Sequence, residues 1–408
     1  MEYTPGRKQA QRVKKASSFF FWILRLCFTP ALYLLYRFKF EKKTSKGIKR
    51  PCLILANHQT GFDQFAVGLG FNFGINYVAT DTIFRHGLLS KIMVALTRPI
   101  PFSKGNSDLI AVKNMISVIK DGGCVGMFPS GNRCFYGTES LLVQGIGKLA
   151  KKLNVPVVLV QIRGGYNTLP RWKTKPSKGK MIALVTRIIH SEELAAMSND
   201  ELDKIIQQEL SFNECEYNKT AQIVYHGRHK AEYLESLLFY CPECNSLSGL
   251  FSQGNEFFCR DCGARVRING VGFFEKTAKA GKIPDSILEW SNVQLDYIKS
   301  IDYSGFTAQP LFSDNNINLF KAERARDEVL IGSGSMEFYA DRMRVCGREF
   351  LLGEVTMAVV GVRKLTIYGK DGVYAVIAPF RTNLAKYMIC GYHLRNKILG
   401  IREEFYGY

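Results

Sequence analysis

Residues 51–63 read Pro51-Cys52-Leu53-Ile54-Leu55-Ala56-Asn57-His58-Gln59-Thr60-Gly61-Phe62-Asp63. The apolar run from Cys52 to Ala56 has the length of a buried strand, and it ends in a turn carrying a histidine and an aspartate. A histidine at the mouth of a strand, with a carboxylate a few residues on, is the raw material of a general base. The aspartate can hold the imidazole in one tautomer and stabilise its charged form while the other ring nitrogen takes a proton. His58 and Asp63 are therefore the candidate catalytic pair. Alone the spacing is weak, because such pairs arise by chance and a lone histidine is more often structural. The surrounding chain decides.

Outward from this stretch, strand-like apolar runs alternate with helical ones from residue 50 to about 210. Strands are expected at 51–56, 76–79, 123–128 and 156–162, and helices at 64–73, 108–120 and 139–153, with Ser107 as an N-cap and Gly122 just past the helix end. Alternation of this kind predicts an α/β domain with a mostly parallel sheet, whose site lies at the carboxyl ends of the strands. His58 follows one such strand. Met127-Phe128-Pro129-Ser130-Gly131-Asn132-Arg133 follows another, as a rigid turn that gathers backbone N–H groups and an arginine suited to phosphate. Pro101-Phe102-Ser103-Lys104-Gly105-Asn106 is a basic turn before a helix, able to hold an anion. Val155-Pro156-Val157-Val158 reads as a packing strand. Each has a bland alternative, a capped loop or a solvated turn.

The 408 residues suggest two or three domains, and 46% hydrophobic residues supply ample core. Fifty-five Lys+Arg against 36 Asp+Glu give a formal charge of +19, which favours an anionic membrane surface, nucleic acid or phosphorylated substrates. Eleven cysteines, four of them in Cys-x-x-Cys units, point to a reducing compartment and metal binding rather than disulfides. Residues 17–36 are apolar and aromatic, but Arg25 interrupts the run and Pro30 is expected to break it, leaving a pair of short helices. Basic flanks (Arg7, Lys8, Arg12, Lys14, Lys15, then Lys39, Lys42, Lys43, Lys46, Lys49) would each contribute about 1 kcal/mol beside acidic headgroups. The expectation is monotopic or peripheral attachment to the cytoplasmic face of a membrane, the alternative being a helix pair packed on the domain.

The four pieces, in this order over roughly residues 45–212, resemble the glycerolipid acyltransferases, which include glycerol-3-phosphate and lysophosphatidic acid (1-acylglycerol-3-phosphate) acyltransferases. The family pattern Asn-His-x-x-x-x-Asp matches Asn57, His58 and Asp63. Phe-Pro-Glu-Gly-Thr/Asn-Arg matches Phe128 to Arg133 with Ser130 in place of Glu, the second motif matches 101–106 with Lys104 in place of Arg, and the fourth matches Val155 to Val158. The resemblance implies an O-acyltransferase of phospholipid synthesis. His58 would deprotonate the acceptor hydroxyl, Asp63 orient it, and the oxygen attack the thioester of acyl-CoA or acyl carrier protein. It also implies that Arg133, with Lys104, binds the phosphate of a lysophospholipid, 1-acylglycerol-3-phosphate being favoured, and that Asn57, Ser130, Gly131 and Asn132 line the site. Ser130 removes a carboxylate beside the phosphate position, which leaves the acceptor open. Cys124 and Cys134, nearby, are expected to be structural.

After Tyr217 the pattern changes. Residues 231–240 read as a short helix, followed by Cys241-Pro-Glu-Cys244 and Cys259-Arg-Asp-Cys262. Two such knuckles are a strong signal for a closed, structural Zn²⁺ site of zinc-ribbon type. A helix is expected at 285–300, then strands at 335–339, 342–346, 355–360, 364–368 and 374–377, and a final helix at 383–397. The expected domains are membrane-associated helices (1–45), an acyltransferase domain (46–215), a helical linker (216–240), a zinc ribbon (241–270), a second helical linker (271–311) and a β-rich, pleckstrin-homology-like domain (312–408). The competing function is a catalytically weak lipid-binding adaptor that uses the ribbon and C-terminal domain. A nucleic-acid partner, motivated by charge and ribbon, is disfavoured by the apolar N-terminus.

Overall fold

The computed structural model describes residues 12–80, 94, 97–102, 109–139, 141–143, 145–277, 279–324, 327–360 and 362–401. The first sheet has seven strands in the order β1 (Lys39–Phe40), β7 (Ile182–Ile189), β6 (Val157–Arg163), β2 (Leu53–Ala56), β5 (Cys124–Met127), β3 (Ile75–Thr80), β4 (Ile100–Phe102). Every neighbouring pair is parallel except β6 with β7, so the sheet is mixed, with one antiparallel pair beside a parallel majority. All four residues of β2 are buried, because its alternating side chains face two cores. Leu53 and Leu55 join the helices Leu109–Lys120, Ile146–Leu153 and Asn199–Leu210. Ile54 and Ala56 join Leu32 and Tyr36 of the N-terminal helix.

That N-terminal element is one helix, α1 (Ser18–Tyr36), continuous through Pro30, and not the expected pair. Arg25 does not interrupt it because the guanidinium folds onto the domain, donating to the Phe71 carbonyl at 2.7 Å and lying 5.1 Å over the Trp22 ring. The stripe Phe28, Leu32, Tyr36, four residues apart, packs on the domain, with Phe28 on Phe65 and Tyr36 on Phe62. Phe19, Trp22, Ile23, Leu26, Tyr33, Leu34 and Leu35 stay exposed. By length and composition alone α1 is long and apolar enough to cross a membrane.

Other expected helices shrink. The 64–73 helix is Asp63–Gly68. The 139–153 helix begins only at Ile146, after Gly145 at φ +87°, because the preceding segment is drawn into the domain: Val143 N–H donates to Pro129 O at 2.9 Å and Leu142 N–H to Gln207 Oε1 at 2.9 Å. Residues 231–240 contain only a 3₁₀ turn, Leu234–Ser236. Leu234, Leu237, Leu238, Phe239 and Tyr240 are all buried, and side chains of a later helix, Ile287–Ser300, replace helical hydrogen bonds. Gln294 accepts from Phe239 N–H at 2.7 Å, and Trp290 Nε1–H donates to Tyr240 O at 2.8 Å.

The second sheet is antiparallel, in the order β11 (Phe274–Lys276), β10 (Arg265–Ile268), β9 (Glu256–Cys259), β8 (Leu250–Gln253), and so runs past residue 270, where the sequence pattern ends the module. The third has the order β15 (Arg348–Leu351), β14 (Arg342–Val345), β13 (Asp327–Phe338), β12 (Phe312–Arg324), β18 (Gly372–Ile377), β17 (Lys364–Gly369), β16 (Thr356–Val360), with the helix Leu384–Leu399 against it. Strand β12 escapes the sequence pattern because Asp314, Asn315 and Asn316 read as a loop; the structure absorbs them as a bulge, with Asn316 at φ +59°. Arg171 joins the first and third layers, donating to Arg133 O at 2.9 Å and to Val359 O.

Candidate active site

At the end of β2 the Asn57 side chain continues the ladder to β6. Its Oδ1 accepts from Ile162 N–H at 2.6 Å and its Nδ2 donates to Ile162 O at 2.9 Å. With 1% exposure, Asn57 closes the strand end and does not face outward as a ligand-binding group. The chain then turns so that Asp63, the first residue of its helix, lies back under the loop with 0% exposure. One carboxylate oxygen accepts from Gln59 N–H (2.6 Å), Thr60 N–H (2.9 Å) and His58 Nδ1 (2.8 Å), and the other from the Thr60 hydroxyl (2.6 Å). The backbone and hydroxyl donors leave both carboxylate oxygens as acceptors, so Nδ1 carries the imidazole proton and Nε2 is left as an acceptor. The His58 side chain is 20% exposed. Its ring stacks on Phe128 at 4.4 Å, and Phe128 on Tyr77 at 5.9 Å, an aromatic wall that fixes the imidazole plane.

The 128–133 turn docks directly on this loop. Gly131, at φ +66°, donates to Phe128 O at 3.0 Å, a left-handed conformation that glycine adopts without cost. Ser130 is buried and its hydroxyl donates to Asn132 O at 3.0 Å. The Arg133 guanidinium lies against the His58–Asp63 loop: a Cβ added to Gly61 would sit 4.0 Å from its Nη1. Burial pulls the Arg133 pKa below its ordinary value, and Asp63 opposes that shift. The polypeptide after Ser130 also grips the histidine backbone: Cys134 N–H donates to His58 O at 2.8 Å. His58 N–H donates to the carboxyl group of Glu139, at 3.2 and 3.4 Å to its two oxygens.

The structure thus brings together His58, Asp63, Ser130, Gly131, Asn132 and Arg133. Lys104 lies outside the described residues, as does the expected Ser107 cap. Three residues escape the sequence pattern. Glu139 falls inside an expected helix. Gln59 is an interior brace, its Oε1 accepting from Gly165 N–H at 2.8 Å. Glu214 accepts from Gly164 N–H at 2.8 Å and Gln59 Nε2–H at 3.3 Å. Burial pushes Glu139 up to about 8 and Glu214 up to about 7. No local signal marks either glutamate, since their partners come from segments distant in sequence. Cys134 is buried, and desolvation with nearby Glu139 and Glu214 raises its thiol pKa, the opposite of an activated nucleophile.

His58, Asp63 and the 128–133 turn sit within residues 37–163, which match the acyltransferase family model. That segment of the α/β domain is acyltransferase-like. Over 150 residues, 36% of this chain and 72% of the relative, the chain is 24% identical to the 1-acyl-sn-glycerol-3-phosphate acyltransferase of Bacillus subtilis (strain 168). Among solved structures, it is similar to the 1-acyl-sn-glycerophosphate (LPA) acyltransferase PlsC from Thermotoga maritima, with a TM-score of 0.40 and 20% identity, covering 47% of this chain and 76% of that one.

Outside the α/β domain, Cys241, Cys244, Cys259 and Cys262 converge, their sulfur atoms all within 4.8 Å of one another. The Cys241–Cys262 and Cys244–Cys259 separations are 3.8 and 3.7 Å. Thiolates about 2.3 Å from a tetrahedral Zn²⁺ would be about 3.8 Å apart, whereas disulfide sulfurs are about 2 Å apart. The donor set therefore fits a closed tetrahedral metal site.

Proposed function

We propose that this acyltransferase moves an acyl chain from acyl-CoA or acyl carrier protein to the free hydroxyl of a lysophospholipid, with 1-acylglycerol-3-phosphate as the preferred acceptor. The His58–Asp63 contact at 2.8 Å carries the proposal. His58 Nε2 takes the hydroxyl proton as the acceptor oxygen attacks the thioester carbonyl. The C–O ester bond forms, the C–S bond breaks, and the imidazolium returns its proton to the leaving thiolate. Asp63 stays ionised throughout and stabilises the imidazolium. The thioester is already activated, so positioning and proton transfer are sufficient chemistry. Arg133, beside the loop, would bind the acceptor phosphate with Lys104, and the 130–132 turn would border it.

The exposed side of α1 and the basic residues after it support attachment to an anionic membrane, which we place on its cytoplasmic face. The four cysteines would hold Zn²⁺ as a structural ion, cross-linking two knuckles of a ribbon whose own core is small. We read the C-terminal strands, two meanders joined through β12 and β18 and backed by one helix, as a pleckstrin-homology-like module with a membrane or protein partner.

The test is mass spectrometry of products after the full chain is given an acyl thioester and a mixed panel of lysolipids. The expected product is phosphatidic acid, absent with His58→Ala at unchanged melting temperature. Equal turnover by His58→Ala would overturn the mechanism.

A further inference from the structure

Glu139 is placed by neighbours on both sides. Gly137 O accepts from Glu214 N–H at 2.8 Å, and Thr138 forms a β-bridge with Asn213. Gly137 has φ +87°, and a Cβ there would meet the Tyr166 ring at 3.0 Å, so glycine is needed to bring the chain inward. Two residues on, the Glu139 side chain then reaches under the His58–Asp63 loop. Its carboxyl group accepts from the His58 amide and lies beside the Ser130 hydroxyl.

We infer that Glu139 is a positioning residue that supplies, from the following loop, the carboxyl group that Ser130 does not, and that it locks the 128–133 turn to the backbone of His58. It touches neither reacting atom. Its effect runs through His58, whose amide and carbonyl are both held by this segment, at Glu139 and Cys134. A displacement of the imidazole by even about 1 Å would cost about 100-fold in rate. The site therefore keeps a carboxyl group next to the Ser130 turn.

This inference rests on the proposed acyl transfer, and the test separates the two. The full-length wild type, Glu139→Ala, Glu139→Gln, Ser130→Glu and the Ser130→Glu/Glu139→Ala double variant are assayed with lysophosphatidic acid and an acyl-CoA, alongside their melting curves. An inactive wild type sinks the functional reading and with it this one. With an active wild type, Glu139→Ala is expected to lose about 100-fold in kcat with little change in acceptor KM. Glu139→Gln, which keeps one acceptor oxygen for the His58 amide, should lose less. Ser130→Glu alone should be impaired by two carboxyl groups in one space, and the double variant should recover to within about tenfold of wild type, since the group has only been moved. Wild-type kcat in Glu139→Ala overturns the inference. So does a double variant that melts like wild type yet is no faster than Glu139→Ala.

Discussion

Phe28 and Phe65 stack face to face, their ring centroids 4.0 Å apart and their planes inclined by 4°. Phe28 is on α1 and Phe65 is two residues beyond Asp63, so the apolar N-terminal helix rests on the short helix that carries the carboxylate of the site. A helix proposed to meet lipid is thereby packed one layer from the candidate base.

Phe28→Ala should therefore act on both stability and rate. Loss of the stacked pair and its buried area should cost about 1–3 kcal/mol in denaturant unfolding. It should also lower kcat several-fold by loosening the Asp63 helix. Leu26→Ala on the opposite side, where the residue is 77% exposed, should leave unfolding unchanged and weaken sedimentation with anionic vesicles. Equal loss of stability in both variants would show that α1 does not dock through Phe28.

Asp63→Asn tests the tautomer. The amide retains the volume, but its NH₂ group would face donors at Gln59, Thr60 or His58, all of which now converge on acceptor oxygens. Turning the His58 ring nitrogen into the wrong tautomer costs about 10⁴ in a comparable histidine–aspartate pair, and a loss of this order in kcat is expected. A reduction below tenfold would mean that Asp63 only supports the loop.

Much of this site is legible in the chain because its causes are local. An apolar run makes β2, the turn chemistry after it places His58 and Asp63 on one loop, and Pro129 with Gly131 makes a second turn at the end of β5. Pairing of β2 with β5 then brings the two turns together. Gln59, Glu139 and Glu214 are not legible, since the partners that hold each side chain in place include ones 47 to 155 residues away. The cysteine knuckles are legible through spacing alone. The continuity of α1 is not, because a proline breaks or kinks an isolated helix but is tolerated when one face is anchored to a domain. The same holds for 231–240, where Gln294 and Trp290, remote in sequence, take over the backbone hydrogen bonds.

Elemental analysis of the purified chain should return one zinc per chain, and a strong chelator should remove it with a large fall in melting temperature. Cys259→Ser should reproduce the fall, because it breaks a ligand on β9, whose neighbours pair on both sides. Structural thiolate sites contribute roughly 10 kcal/mol or more of binding free energy to folding. A chain that keeps its melting temperature after full removal of metal would rule out a structural role for the cysteine cluster.

Glu214 allows a prediction whose sign is fixed by linkage. Burial raises this carboxyl group from an ordinary 4.5 to about 7, although Gly164, Gln59 and Asn167 donate to it. Between those two pH values the folded chain keeps a proton that the unfolded chain releases. Stability from this group therefore falls as pH rises through the window, by at most about 1.4 kcal/mol per pH unit, and is flat below and above it. Glu214→Gln preserves the shape and cannot ionise, so the difference in unfolding free energy, wild type minus variant, should decline from pH 4.5 to pH 7 and then level off. Glu139→Gln should show the same decline, extended to about pH 8. Urea unfolding across pH 4 to 9 measures both. A difference that rises with pH would mean that the donors outweigh burial, and that these interior carboxyl groups are held as anions around the catalytic loop.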